Sequence, residues 1–61
     1  MRKRKGFLEK EEITEVSARL FAEKSYAGTS MRDIAKGLNV SIASVYYYFK
    51  NKEDILFNII E

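Results

Sequence analysis

Proline occurs nowhere in the 61 residues, and glycine only at positions 6, 28 and 37. A chain so poor in breakers has few places where a helix must stop. Its apolar residues also repeat with helical period. From about Glu9 to Ser25, Ile13, Val16, Ser17, Leu20 and Phe21 fall at i, i+3, i+4, i+7 and i+8, one face of a helix. Glutamates crowd its first turn and Lys24 lies near its end, as the helix dipole favours. Tyr26-Ala27-Gly28 follows, with Gly28 expected to take the left-handed conformation that closes many helices.

Three shorter helices are expected beyond it. Ser30 and Asp33 have capping-box spacing, with Thr29 an equally good cap, and Ile34, Ala35 and Leu38 form the apolar face of a helix over 30–38. Asn39 suits the positive φ of a tight turn. Ser41 caps a third helix, 42–49. Asn51 and Asp54 open a fourth over 52–61, which has no stop signal, so the chain reads as the N-terminal fragment of something longer. The run Val45-Tyr46-Tyr47-Tyr48-Phe49 has strand propensity. With no second strand to pair with, helix is the expectation there too.

Sixty-one residues hold at most one small domain, because a chain of that size buries only about 60% of its unfolded surface. Apolar residues at 46% and charged residues at 33% are a globular composition. Cysteine and histidine are both absent, which excludes zinc fingers and Cys–His or Ser–His nucleophile pairs. No cofactor or metal site is expected, and no enzymatic chemistry. The glutamates at 9, 11, 12 and 15 read as a solvated face.

The net charge of +2 hides a strong asymmetry. Arg2, Lys3, Arg4 and Lys5 put +4 on residues 1–6, residues 7–25 carry −2, and the rest is balanced. A basic arm, expected to be flexible, thus precedes a nearly neutral body over 7–61, a pattern suited to polyanions. The arm is not expected to act as a secretory leader, because Gly6-Phe7-Leu8 runs straight into Glu9-Lys10-Glu11-Glu12. A cytoplasmic location is expected, without membrane attachment: the first helix presents mostly Glu, which an anionic surface repels.

The second helix, a turn of about three residues and the third helix have helix-turn-helix spacing, in which the second member enters the major groove of DNA. Ile34, Ala35, Leu38, Val40, Val45 and Phe49 are expected to hold the pair together. Val45, Tyr48 and Phe49 share one arc of the third helix, while Ala43, Ser44, Tyr46 and Tyr47 point largely away. That outer face has no acid and no Arg or Lys, so it suits thymine methyls and phosphates better than guanine edges.

From Ile13 to Ile59 the chain resembles the N-terminal DNA-binding domain of the tetracycline-repressor (TetR) family of bacterial transcriptional regulators. The resemblance lies in Phe21-Ala22-Glu23-Lys24, Tyr26-Ala27-Gly28-Thr29-Ser30 and Arg32-Asp33-Ile34-Ala35. It continues in Val40-Ser41, Val45-Tyr46-Tyr47-Tyr48-Phe49 and Lys52-Glu53-Asp54-Ile55-Leu56, without gaps. Asn39 replaces the family's usual turn glycine, and Leu38 a frequent alanine. The resemblance implies an all-α, homeodomain-like bundle of three helices plus the start of a fourth. It also implies that the ligand-binding and dimerisation domain lies outside this chain.

Roles for individual residues follow from the same resemblance. Thr29 and Ser30 would offer hydroxyl and backbone N–H groups to a phosphate. Arg32 would reach a guanine edge or a phosphate. Ser41, Ile42, Ala43 and Ser44 would enter the groove first, with Tyr46 on a phosphate or methyl and Tyr47 and Tyr48 beside it. Lys52 would set its ammonium against a phosphate, and Arg2, Lys3, Arg4 and Lys5 would add phosphate or minor-groove contacts. The implied function is sequence-specific binding of double-stranded DNA at a palindromic operator by a homodimer in the nucleoid. Repression relieved by an inducer is the first reading. A transcriptional activator of the same family is an alternative. So is a protein-interaction module using Ile55, Leu56, Phe57, Ile59 and Ile60.

Overall fold

A computed structural model describes residues 7–60, so the readings placed on residues 1–6 and 61 lie outside the described residues. Four helices follow one another: α1 (Lys10–Lys24), α2 (Met31–Leu38), α3 (Ile42–Tyr48) and α4 (Lys52–Ile60). No strand forms among the described residues. The Val45–Phe49 run is helical through Tyr48, and Phe49 turns extended at φ −135°.

The helix ends follow from local chemistry. At α1 the Glu9 amide donates to Glu12 Oε1 at 2.8 Å. At α2 the capping box is complete, with the Asp33 amide donating to Ser30 Oγ at 3.1 Å and the Ser30 amide to Asp33 Oδ2 at 2.9 Å. Ser30, not Thr29, is therefore the cap. Asn39 closes α2 at φ 60°, ψ 45°, with its amide donating to Lys36 O and the Val40 amide to Ala35 O. This is a Schellman ending in which asparagine takes the place glycine usually fills. At α4 the Asp54 amide donates to Asn51 Oδ1 at 2.9 Å.

The α1 ending differs from the sequence expectation. The residue at positive φ is Ser25, at φ 76°, ψ 157°, and not Gly28. Gly28 is required for room: a Cβ there would lie 2.4 Å from the Lys24 carbonyl oxygen. The Gly28 amide donates back to Ser25 Oγ at 3.0 Å, which holds the turn tight.

α1 packs against α2 and α4, and α2 packs against α3. The core unites Ile13, Ile34, Ala35, Leu38, Val45, Phe49 and Ile55 with two residues outside the periodic pattern, Leu8 and Met31. Val16, Leu20 and Phe21 only border it. Gly37, on the α2 surface toward α1, permits the crossing, because a Cβ there would stand 3.2 Å from Val16 Cγ1. Ser17 is fully buried on α1, and its hydroxyl has no hydrogen-bond partner among the described residues.

Candidate nucleic-acid interface

The outer face of α3 forms because its inner arc is consumed by the core. Val45 and Phe49 are buried, whereas Ser41, Ala43, Tyr46 and Tyr47 are exposed, Tyr47 at 82%. Ile42 and Ser44 are half-buried at its leading end. Ser41 caps the helix by accepting from the Ser44 amide, and the two hydroxyls share a 3.0 Å hydrogen bond. No carboxylate lies on this face. Its polar groups are small, and its bulk is aromatic.

The helix that packs against α3 is α2, and its first turn carries the next candidates. Arg32 is exposed and has no ion-pair partner among the described residues. The Met31 and Arg32 amides precede the first intrahelical bonds, so they remain open to an anion. The neighbouring acid is neutralised: Asp33 Oδ2 lies 3.0 Å from the Lys24 ammonium. The Ser30 amide first, and Lys24 next, hold the Asp33 carboxyl well below the usual range, at about 2. Ser30 is exposed, but its amide is occupied by Asp33, leaving the hydroxyl proton to offer.

Three residues expected at DNA have partners within the fold. Thr29 is buried, and its hydroxyl lies 2.8 Å from Ser25 O and 3.3 Å from Leu20 O. Its amide donates to Tyr26 O. Neither group is left for a phosphate, because Thr29 stitches the α1–α2 connection to the end of α1. Lys52 donates from Nζ to Tyr26 O at 2.7 Å, and the same ammonium lies 4.2 Å from the Tyr26 ring centroid. It clamps α4 to that connection with one of its three donors. Tyr48 is half-buried and donates its hydroxyl to Leu8 O. Its ring meets Tyr47 edge-on at 5.0 Å.

Tyr26, which receives Lys52, packs edge-on against Phe21 at 5.0 Å. Burial, reinforced by the Glu53 carboxylate, raises the pKa of its phenol. A further cation near the α3 face is Lys50, which lies just beyond α3, is exposed and has no ionic partner among the described residues. Its sequence signal is a lysine directly after the aromatic run. The candidate residues Arg2, Lys3, Arg4 and Lys5 lie outside the described residues.

The model of bacterial regulatory proteins of the tetR family matches residues 13–59. The biofilm-operon icaADBC HTH-type negative transcriptional regulator IcaR of Staphylococcus epidermidis is 46% identical over 46 residues, covering 75% of this chain and 25% of that protein. The chain thus spans about a quarter of the curated relatives it matches. A TetR/AcrR-family regulator from Thermobifida fusca superposes with a TM-score of 0.81 at 45% identity, over 84% of this chain and 28% of that one. The fatty acid degradation regulator FadR from Bacillus halodurans gives 0.81 at 33% identity, over 93% of this chain and 30% of its own. With its helix-turn-helix intact and the family match running from α1 into α4, this chain belongs to the TetR family of bacterial regulatory proteins.

Proposed function

We propose that this chain is the double-stranded-DNA-binding part of a transcriptional regulator, and that α3 reads the major groove. The observation that carries this reading is the α3 face, where Ser41, Ala43, Tyr46 and Tyr47 stand exposed and carry no carboxylate, while Arg32 on the adjoining helix α2 is exposed and has no ion-pair partner among the described residues. Small residues at the leading end permit close approach, and recognition helices lead with their N-terminal residues. Ser41, Ile42, Ala43 and Ser44 enter the groove. Tyr46 and Tyr47 reach a thymine methyl or a phosphate, and Arg32 and the Ser30 hydroxyl take the flanking backbone. The basic residues Arg2, Lys3, Arg4 and Lys5 add phosphate or minor-groove contacts.

Repression is the favoured sign of regulation, because the staphylococcal relatives are named as negative regulators. A homodimer on a palindromic operator fits two such helices set one turn of DNA apart, about 34 Å. A single copy loses the effective-concentration gain, roughly 10²–10⁴ in affinity. Control by an inducer belongs to sequence beyond these residues. No helix among the described residues is long and apolar enough to cross a membrane, in keeping with work at the nucleoid.

An amide chemical-shift titration with a DNA duplex at low salt tests the reading. Shifts gathered at Ser30 to Arg32 and Ser41 to Tyr47 support it. A folded spectrum that does not move overturns it. Shifts confined to α4 favour the second reading, a protein-interaction module, whose motive is the exposure of Phe57 at 69% and Ile60 at 68%.

A further inference from the structure

Tyr46 and Tyr47 both stand exposed on α3, but only Tyr47 has its ring braced. Tyr47 is 82% exposed, yet its ring centroid lies 5.0 Å from that of Tyr48, with the two planes 89° apart. Tyr46, 49% exposed, has no ring contact among the described residues. Tyr48 is itself fixed from behind. It is half-buried, and its hydroxyl donates to the Leu8 carbonyl across 40 positions of sequence. The Leu8 side chain is buried in the core. Contacts thus run from the core through Leu8 and the Tyr48 phenol to the exposed Tyr47 ring.

Without that brace, Tyr47 has other places to lie. On a helix an aromatic side chain keeps to χ1 of about 180° or −60°, because the remaining well drives the ring into the preceding turn. Beside Tyr47 runs a shallow groove bordered by Phe7, Leu8, Ala43, Ser44 and Tyr48. Its apolar walls offer a free ring a competing resting place. The edge-on contact with Tyr48 favours one arrangement over the others.

We propose that Tyr48 is a positioning residue of the DNA interface: held by the Leu8 carbonyl, its ring confines Tyr47 to a single rotamer and presents that phenol preformed to the duplex. The inference rests on the DNA-binding reading and deepens it, giving a role to a tyrosine whose own hydroxyl is turned to the backbone of Leu8. A ring ordered in advance loses no rotamer freedom on contact. A ring divided among states lowers affinity in proportion to its competent fraction.

The test measures affinity of the full protein for a mixed-sequence DNA duplex at low salt, in the wild type, Tyr48→Phe, Tyr47→Ala and the double variant. Phenylalanine keeps the ring and removes only the bond to Leu8. Alone it is expected to weaken binding about two- to ten-fold, the loss from freeing one ring. In the Tyr47→Ala background the same change should do nothing. Equal losses in both backgrounds would mean that the hydroxyl acts on DNA without Tyr47, which overturns the positioning role and leaves the DNA reading standing. No loss in either background overturns it too. Side-chain scalar couplings recorded without DNA give a second readout, one that lost stability alone does not move. Tyr47 should hold one χ1 rotamer in the wild type and average over more than one in Tyr48→Phe, with Tyr46 alike in both. Unmoved Tyr47 couplings sink this inference alone, whereas a wild type that binds no duplex sinks the DNA-binding reading together with it.

Discussion

Ser41 and Thr29 carry the same chemical group at similar positions, each just ahead of a helix, and meet opposite fates. Ser41 is exposed and spends its oxygen only on its own helix end. Thr29 is buried, with its hydroxyl proton held between two carbonyls of the preceding segment. The same contrast separates Arg32 from Lys52. Arg32, in the first turn of α2, is exposed and has no ion-pair partner among the described residues, whereas Lys52, in the first turn of α4, is bound to the Tyr26 carbonyl and ring. The helix-turn-helix spends its outward polar groups only on its own helix ends or leaves them exposed, as at Arg32. The α1–α2–α4 junction consumes its own to brace that unit, and residue type alone does not distinguish the two regions.

The sharpest way to break this comparison is to overfill the junction. Gly28→Ala places a methyl 2.4 Å from the Lys24 carbonyl, and because backbone must move to admit it, a loss of about 1–3 kcal/mol is expected by thermal unfolding. Wild-type stability in this variant would show that the connection is slack. Next comes Thr29→Val, which keeps shape and removes the hydroxyl. It should cost about 1–2 kcal/mol in stability. The salt dependence of DNA binding should not change, since no phosphate contact is lost.

A pair of substitutions then sharpens the distinction between brace and reader. Lys52→Met should lower stability by about 1 kcal/mol or less, because the ammonium is half-exposed. The slope of log affinity against log salt should stay as it was. Arg32→Met should leave stability nearly intact and reduce that slope by about 0.9, one phosphate's worth. Exchanged outcomes would return Lys52 to the phosphate and retire Arg32.

The smallest effect concerns acid. The Asp33 carboxyl titrates at about 2 in the folded chain against 3.8 unperturbed, so its contribution is complete above the unfolded value and is lost as pH falls through the folded one. Asp33→Asn should therefore flatten the acid limb of the unfolding curve between those two pH values. Its stability should approach that of the wild type near pH 2. An unaltered acid limb would mean that the link from Asp33 to Ser30 and Lys24 adds nothing to folding.

The four helices and most of their boundaries were legible because their signals are local. A capping box, an Asn suited to positive φ and a 3.6-residue period act over a few residues and need no distant partner. The same holds for the outer face of α3, where alternation around one short helix separates Val45 and Phe49 from Tyr46 and Tyr47. At the α1 ending the local signal misled. Glycine there serves clearance and not φ, and the positive φ passed to Ser25, whose hydroxyl accepts the Gly28 amide.

What the sequence by itself determined is the helical content, the helix-turn-helix spacing, the family resemblance and a recognition face without acids. Only the tertiary structure decided which polar side chains remain available. The family resemblance placed Thr29, Tyr48 and Lys52 at DNA, although the helical wheel set Tyr48 on the inner arc of α3. Thr29 meets Ser25 O four positions away and Leu20 O nine away, whereas Leu8 O and Tyr26 O, the partners of Tyr48 and Lys52, lie 40 and 26 positions away. A buried or half-buried donor takes the nearest carbonyl in space, since leaving it unpaired costs more than the bond contributes. Distance in space is what folding creates and sequence spacing does not contain.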